Sequence, residues 1–116
     1  MAQIVKTIGD REYGFQFNML TIRKYCEYRG IDFSDYDNDF ASDIMVTSEV
    51  LFKAAADVYS KGKVILDEYE LAELFENMTN DEYKEIITCY SEGMRGAYSV
   101  YTGGKKPTGK PDTKKK

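Results

Sequence analysis

The sequence predicts an α+β protein with an N-terminal β-hairpin, about four α-helices that make it mainly helical, and a disordered C-terminal tail. Three observations support this fold class. Apolar and polar residues alternate on both sides of Gly9-Asp10, helical spacing dominates from Met19 to Tyr101, and apolar residues are absent after Gly103. A chain of 116 residues, 42% of them hydrophobic, is long enough for one domain, which we expect to span residues 1–102.

The hairpin is predicted by period-two alternation in two short segments. The residues that alternate are Ile4, Lys6 and Ile8 before the turn and Tyr13, Phe15 and Phe17 after it. Gly9-Asp10 is a weaker tight-turn signal than Asn-Gly, so a longer loop that includes Arg11 is an alternative.

The first helix is predicted by a cap, an apolar stripe and a stop signal. Asn18 offers a side-chain oxygen to the open amides of a helix start, and Gly30 can take the left-handed conformation that ends a helix. The apolar stripe consists of Met19, Ile22, Tyr25 and Cys26.

The segment from Asp32 to Asp43 contains five aspartates and is predicted to be a loop. A calcium-binding EF-hand that begins at Asp35 is excluded, because Phe40 and Val46 stand where the motif requires Gly and Glu. Two interpretations remain for the aromatic residues of this segment. They either pin a solvated acidic loop to the core or anchor a charged docking segment for another protein.

Two further helices are predicted in the middle of the chain. Ser42 or Asp43 can cap the first, which should run from about Ile44 to Lys61 and end before Gly62. The second is short and should end near Asn77. Its start carries a capping box, formed by Asp67 and Glu70, and a hydrophobic staple between Leu66 and Leu71.

The last helix has the clearest apolar stripe, and a capping signal at Thr79-Asn80-Asp81-Glu82 precedes it. The stripe contains Tyr83, Ile86, Ile87, Tyr90, Met94, Ala97, Tyr98 and Tyr101. Gly93 and Gly96 interrupt it and indicate either a bend or a close crossing. The tyrosines have two interpretations, core packing or a stripe that receives another protein.

The net charge of −4 is unevenly distributed. Residues 103–116 hold six lysines and one aspartate, a charge of +5, which leaves −9 on residues 1–102. An acidic body would repel phosphate, so we expect no specific nucleic-acid binding. The basic tail is predicted to be a flexible segment or linker that either keeps the chain soluble or tethers an acidic partner or a nucleic acid, without recognition of bases.

The composition argues against catalysis. The chain has no histidine, which removes the usual general base and every Ser–His or Cys–His pairing. Cys26 and Cys89 are expected to be buried, reduced thiols, and we expect no cofactor or metal. No apolar run approaches membrane-spanning length and no signal-peptide pattern is present, so a cytoplasmic protein is expected.

The chain resembles the tail assembly chaperones of long-tailed bacteriophages and prophages over roughly Ile4 to Tyr101. The resemblance is carried by the opening strand pair with Phe17, by Tyr28-Arg29-Gly30-Ile31-Asp32-Phe33, by the Leu- and Ala-rich middle helix and by Leu66-Asp67-Glu68-Tyr69-Glu70-Leu71-Ala72-Glu73-Leu74. The resemblance implies a non-enzymatic assembly factor in the host bacterial cytoplasm that is absent from the mature virion.

The resemblance also implies the partners, which are the tape measure protein and the tail tube protein. In many relatives a programmed frameshift appends a longer C-terminal domain, and the Gly/Pro/Lys tail would suit a linker to it. Self-association is a further expectation for so small a domain. The candidate partner-binding residues are Phe33, Tyr36, Phe40, Tyr90, Met94, Tyr98 and Tyr101.

Two other functions compete with the chaperone. A small structural tail or connector protein would instead be built permanently into the virion. An acidic mimic of nucleic acid would use the aspartates of residues 32–43, but ten basic residues in the body make this the weaker alternative. An enzyme is the least expected class, because no set of catalytic residues can be assembled.

Overall fold

The structure is a computed structural model that describes residues 2–101, with side chains described up to Arg95. It contains β1 (Gln3–Ile8), β2 (Arg11–Gln16), α1 (Met19–Arg29), a 3₁₀ helix (Phe33–Asp35), α2 (Tyr36–Ser42), α3 (Ile44–Ser60), α4 (Glu68–Asn77) and α5 (Asn80–Tyr101). The predicted fold class is confirmed, with one more α-helix among the described residues than the four expected. The tail at 103–116, predicted to be disordered, lies outside the described residues.

The two strands form an antiparallel hairpin with a two-residue turn. Ile8 pairs with Arg11, so only Gly9 and Asp10 lie in the turn, and the alternative loop that includes Arg11 is wrong. Gly9 has φ of +67°, which a side chain would disfavour. The predicted alternation is confirmed, because Ile8, Tyr13 and Phe15 face the core and are buried.

The first helix begins and ends where the sequence predicts. Asn18 accepts a hydrogen bond from the Thr21 amide at 3.1 Å, and the Thr21 hydroxyl accepts one from the Asn18 amide at 3.2 Å. This reciprocal pair satisfies two amides at the helix start. Gly30 ends α1 in the left-handed conformation, with φ of +69°.

The loop predicted for residues 32–43 is wrong, because this segment forms the 3₁₀ helix and α2. Tyr36 and Phe40 are four residues apart, so a helix places both rings on the same face, where each contacts the ring of Tyr25. Burying such rings contributes roughly 1.5–3 kcal/mol each. That exceeds the few tenths of a kcal/mol by which each aspartate disfavours a helix.

Helix α3 is the centre of the molecule. It packs against α1, β2, α2 and α4, and its alanine run at residues 54–56 is buried. Asp43 caps its first turn by accepting from the Val46 amide, as predicted. The predicted end at Lys61 is one residue too late, since α3 ends at Ser60 and Lys61 takes the left-handed conformation with φ of +57°, followed by Gly62 at +84°.

Both capping boxes predicted for the last two helices are confirmed. The Glu70 amide donates to Asp67 at 2.8 Å, and the Asp67 amide donates to Glu70 at 2.9 Å. The amides of Thr79 and Glu82 donate to each other's side chains at 2.9 and 3.1 Å. These boxes fix the directions of α4 and α5 where they leave their loops.

Gly93 lies where α5 crosses closely over the end of the hairpin, which is one of the two alternatives that the sequence predicted. A Cβ atom at this position would lie 2.3 Å from the backbone oxygen of Phe17. Real side chains do not tolerate such a distance, so only glycine lets α5 approach the end of the hairpin this closely. The surroundings of Gly96 lie outside the described side chains.

Candidate partner-binding surface

Three of the predicted partner-binding residues meet in an aromatic cluster between α2 and α5. The ring centroids of Tyr36 and Phe40 are 5.8 Å apart, and the Phe40 ring lies 5.7 Å from that of Tyr90. The hydroxyl oxygens of Tyr36 and Tyr90 are 2.6 Å apart and share a hydrogen bond. Phe17 adds an edge-on contact to Tyr90 at 5.7 Å. The cluster therefore joins α2, α5 and the end of the hairpin.

A polar network fastens the same cluster to α1. The Tyr25 hydroxyl donates to Asp39 at 2.7 Å, and the Arg29 guanidinium donates to both Asp39 oxygens at 2.9 and 3.1 Å. The hydrogen bonds from Arg29, and then that from Tyr25, hold the pKa of Asp39 below its ordinary value. Burial, helped by Asp39, raises the pKa of Tyr25. The carboxylate thus stays ionised and holds α2 on α1.

The seven predicted partner-binding residues differ in how far their side chains are exposed. Tyr36 and Met94 are buried in the core, at 2% and 6% exposure. Phe33, Phe40 and Tyr90 are half-buried and pack against that core. The side chains of Tyr98 and Tyr101 lie outside the described residues. Whether a partner uses any of the seven stays a prediction.

Phe33 lines a cleft along α1, called here the Phe33 cleft. The cleft has a volume of about 490 Å³ and is lined by Met19, Arg23, Cys26, Glu27, Gly30, Ile31, Asp32 and Phe33. The α1 residues follow helical spacing and occupy one face of the helix. Three apolar side chains, those of Met19, Ile31 and Phe33, stand beside three charged ones. This mixture suits an amphipathic segment rather than a uniformly apolar one.

The start of α3 exposes three consecutive apolar residues. Ile44, Met45 and Val46 are 54%, 72% and 41% exposed. Three consecutive apolar residues cover more than half of a helix's circumference, so one core-facing stripe cannot bury them all. The buried positions of this turn are instead Thr47 and Ser48. The sequence shows this exposed surface as a run of three apolar residues directly after the capping residue, Asp43.

A second, smaller cleft of about 170 Å³ lies between the hairpin and the end of α3. Val5, Tyr59 and Val64 line it and are 44%, 37% and 39% exposed. The Tyr59 ring lies directly over Gly14, where a Cβ atom would be 2.2 Å from it. Glycine at this position therefore lets α3 cover the outer side of β2.

One buried carboxylate lies near the end of α3. Asp57 is 5% exposed and accepts a hydrogen bond from the Tyr28 hydroxyl at 2.8 Å, with the Lys24 ammonium 4.0 Å away. Burial and this bond raise the pKa of Tyr28 to about 12. The contacts of Asp57 with Tyr28 and Lys24 join α1 to α3. The Tyr28 phenol is held protonated, which suits a structural hydrogen bond more than proton transfer near neutral pH.

The thiols and acidic groups show no arrangement for chemistry among the described residues. Cys26 and Cys89 are buried and free, as predicted, and burial raises the pKa of both thiols. A raised pKa keeps a thiol protonated and poorly nucleophilic. Within residues 2–101, no three Cys, Asp or Glu side chains are grouped so that they could hold a metal ion.

Two observations complete the description. None of the helices in the described part of the chain combines the length and apolarity required to cross a membrane. No protein-family profile, curated protein or solved structure matches this chain.

Proposed function

We propose that this chain is a non-enzymatic phage tail assembly chaperone. It binds the tape measure protein in the host bacterial cytoplasm, assists assembly of the tail tube around it, and leaves before the virion is complete. The proposal is supported by the resemblance of residues 4–101 to that family and by the kind of surface the fold presents. A holding chaperone needs accessible apolar area on a body whose charge keeps the complex in solution.

The observation that carries the proposal is the Phe33 cleft. Phe33 belongs to the predicted partner-binding set and remains half-buried beside an open, partly apolar groove. An amphipathic helix can place its apolar stripe against Met19, Ile31 and Phe33 while its polar flanks meet Arg23 and Glu27. The volume of about 490 Å³ is sufficient for two or three side chains.

The charge of the domain supports the same role. Residues 1–102 carry −9, so a complex with an apolar client stays well hydrated and resists aggregation. The proposed client is long and helical, and several copies of the chaperone would coat it. The like charge of neighbouring copies would then limit unwanted contacts between coated clients.

The binding test uses peptides tiled along the tape measure protein that this proposal expects as the client. The affinity of each peptide for the full chain is measured by fluorescence anisotropy. We expect Phe33→Ser to weaken binding at least tenfold, because truncating a central aromatic anchor typically costs more than about 1.4 kcal/mol. Tyr69→Ser is the matched control, because Tyr69 is 80% exposed and lies outside the cleft.

A second variant tests the end of α5. Tyr98→Ala combined with Tyr101→Ala should weaken the same peptides if the predicted stripe contacts the client. Both variants must retain the parent's circular dichroism spectrum and unfolding midpoint. Unchanged affinity in Phe33→Ser would contradict the assignment of the cleft, and unchanged affinity in the double variant would remove Tyr98 and Tyr101 from the partner-binding set.

Mass spectrometry of purified particles separates the chaperone from a structural tail protein. We expect the chain in the lysate and in assembly intermediates but not in finished virions. Stoichiometric presence in mature particles would overturn the proposal and favour the small structural tail or connector protein.

A further inference from the structure

The outer edge of β1 carries backbone groups that point away from the hairpin. The Phe17 amide donates to the Ala2 carbonyl at 2.8 Å, which makes Ala2 and Phe17 a hydrogen-bonded pair. Bonded and non-bonded pairs alternate in an antiparallel ladder, so Gln3, Val5 and Thr7 belong to non-bonded pairs. Their amides and carbonyls therefore point away from β2, along the outer edge of β1.

The corresponding edge of β2 meets another part of the fold at its end, where the Gln16 carbonyl accepts a hydrogen bond from the Thr21 hydroxyl at 2.6 Å. The Tyr59 ring covers the face of β2 at Gly14, and α3 packs against the strand. Among the described residues, none makes a hydrogen bond to the outward amides or carbonyls of Gln3, Val5 and Thr7.

The β1 edge also lacks the usual protections against strand pairing. Natural edges are blocked by proline, by bulges or by free charged side chains. Strand β1 has no proline, and its register with β2 is continuous. Its single charged residue, Lys6, is engaged with Glu85 of α5 at 2.6 Å. The outward residues Gln3, Val5 and Thr7 are all exposed and uncharged.

We propose that the outer edge of β1 pairs with the same edge of a second copy of this chain, which gives a symmetric dimer with a continuous four-stranded sheet. Antiparallel pairing centred on Val5 places Val5 opposite Val5 of the other copy, and Gln3 opposite Thr7. In this register every outward amide and carbonyl of the three residues finds a partner. No charged residue lies opposite a like charge, and the exposed Val5 side chains cover each other.

A second copy fits this edge better than the proposed client. A strand edge recognises an extended segment, whereas the client is expected to be helical. Antiparallel pairing of two β1 strands about Val5 is two-fold symmetric, which is the symmetry of most homodimers. Pairing through β1 therefore does not use the Phe33 cleft. The dimer proposal and the client-binding proposal can each be wrong without the other.

The test exploits the position of Val5 on the two-fold axis. Val5→Lys places two ammonium groups opposite each other and Val5→Glu places two carboxylates there, so each variant alone should dissociate at least tenfold more readily. A mixture of the two variants places a lysine opposite a glutamate and should restore the dimer. Val46→Lys is the matched control, because Val46 is a similarly exposed valine on α3, with 41% against 44% exposure.

Sedimentation velocity of the full chain across protein concentrations measures the association. A parent dimer, two monomeric variants and a restored mixed dimer would support the proposal. A monomeric parent, a dimeric Val5→Lys variant or a mixture that stays monomeric would each overturn it.

Amide hydrogen exchange of the parent gives a second readout that needs no variant. The amides of Gln3, Val5 and Thr7 should become protected as the protein concentration rises, whereas those of Ile4, Lys6 and Ile8 are protected throughout. Equal exchange of Val5 and Thr7 at low and high concentration would also overturn the proposal.

Discussion

At the scale of single residues, Asp39 links two helices through its carboxylate. Its carboxylate accepts from Arg29 through two nitrogens and from the Tyr25 hydroxyl, and these contacts join α2 to α1. Hydrogen bonds to a charged group contribute roughly 1.5–3 kcal/mol when they are partly buried. This is a large share of the stability of a small domain.

We expect Asp39→Asn to lower the free energy of unfolding at pH 7 by roughly 1.5–3 kcal/mol, because the ionised acceptor is lost. The pKa of Asp39 is lower in the folded chain than in the unfolded one, so its stabilisation is complete above the unfolded value of about 3.9. It decreases as the pH falls towards the lowered folded value. Urea unfolding at pH 7 and at successively lower pH checks this, and the difference between parent and variant should shrink in acid.

Asp35→Asn is the control for this prediction, since Asp35 is exposed and lies in the neighbouring 3₁₀ helix. It should change the free energy of unfolding by less than about 0.5 kcal/mol. A difference between parent and Asp39→Asn that persists unchanged in acid would show that ionisation of Asp39 is not the cause.

At the scale of elements, the contact between α2 and α5 depends on a pair of phenols. The hydroxyl oxygens of Tyr36 and Tyr90 are 2.6 Å apart, and burial is the main reason that the pKa of Tyr90 is raised. Removing either hydroxyl removes their shared bond but leaves the other hydroxyl in a poorly solvated position. The two substitutions should therefore not be additive.

We expect Tyr36→Phe and Tyr90→Phe each to lower the free energy of unfolding by about 0.5–1.5 kcal/mol, the usual net contribution of a hydrogen bond. The double variant should lose less than the sum, with a coupling energy of at least about 0.5 kcal/mol. Urea unfolding of the four proteins measures the cycle. Additive losses would mean that the two hydroxyls do not stabilise the α2–α5 contact together.

The sequence predicted those elements whose ends are marked by local chemistry. Asn18, Asp67 and Thr79 cap the helices where expected, because each cap depends on residues only three positions away. The segment containing α2 was predicted to be a loop, because its aspartates favour loops when considered alone. Its helix depends on Tyr25 and Tyr90, which are distant in sequence and not visible to local propensity.

The candidate surfaces were predictable to a smaller degree for the same reason. Phe33 could be identified as an aromatic residue after a helix stop, but its cleft exists only because α1 presents Met19 and Cys26 beside it. The alternation of β1 predicted a strand, whereas the openness of its outer edge depends on where the other described elements lie in three dimensions. Such packing across distant residues is not encoded in a local pattern.

At the scale of the whole molecule, charge opposes the association that β1 favours. The full chain carries −4, and removal of residues 103–116 leaves −9. Two copies of the shorter chain therefore repel each other more strongly at long range. This repulsion acts over about 30 Å in 0.01 M salt and only about 8 Å at physiological ionic strength.

Residues 103–116, by contrast, contain no apolar side chain that a hydrophobic core could bury. The buried apolar residues of the described chain extend from Ile8 to Met94, and every element of the fold contributes to them or packs against them. Deleting residues 103–116 should therefore change the free energy of unfolding by less than about 0.5 kcal/mol. If the free energy of unfolding is the same for both chains, any effect of the deletion on association does not come from a loss of folding.

We expect the chain shortened to residues 1–102 to dimerise more weakly than the full chain at 0.01 M salt and equally well at 0.5 M salt. Added salt screens the extra repulsion but leaves the backbone hydrogen bonds of the paired β1 edges intact. Sedimentation velocity of both chains at the two salt concentrations measures the difference. If the shortened chain is equally weakened at high salt, the tail takes part in the interface by direct contact, and net charge is not the reason for its effect.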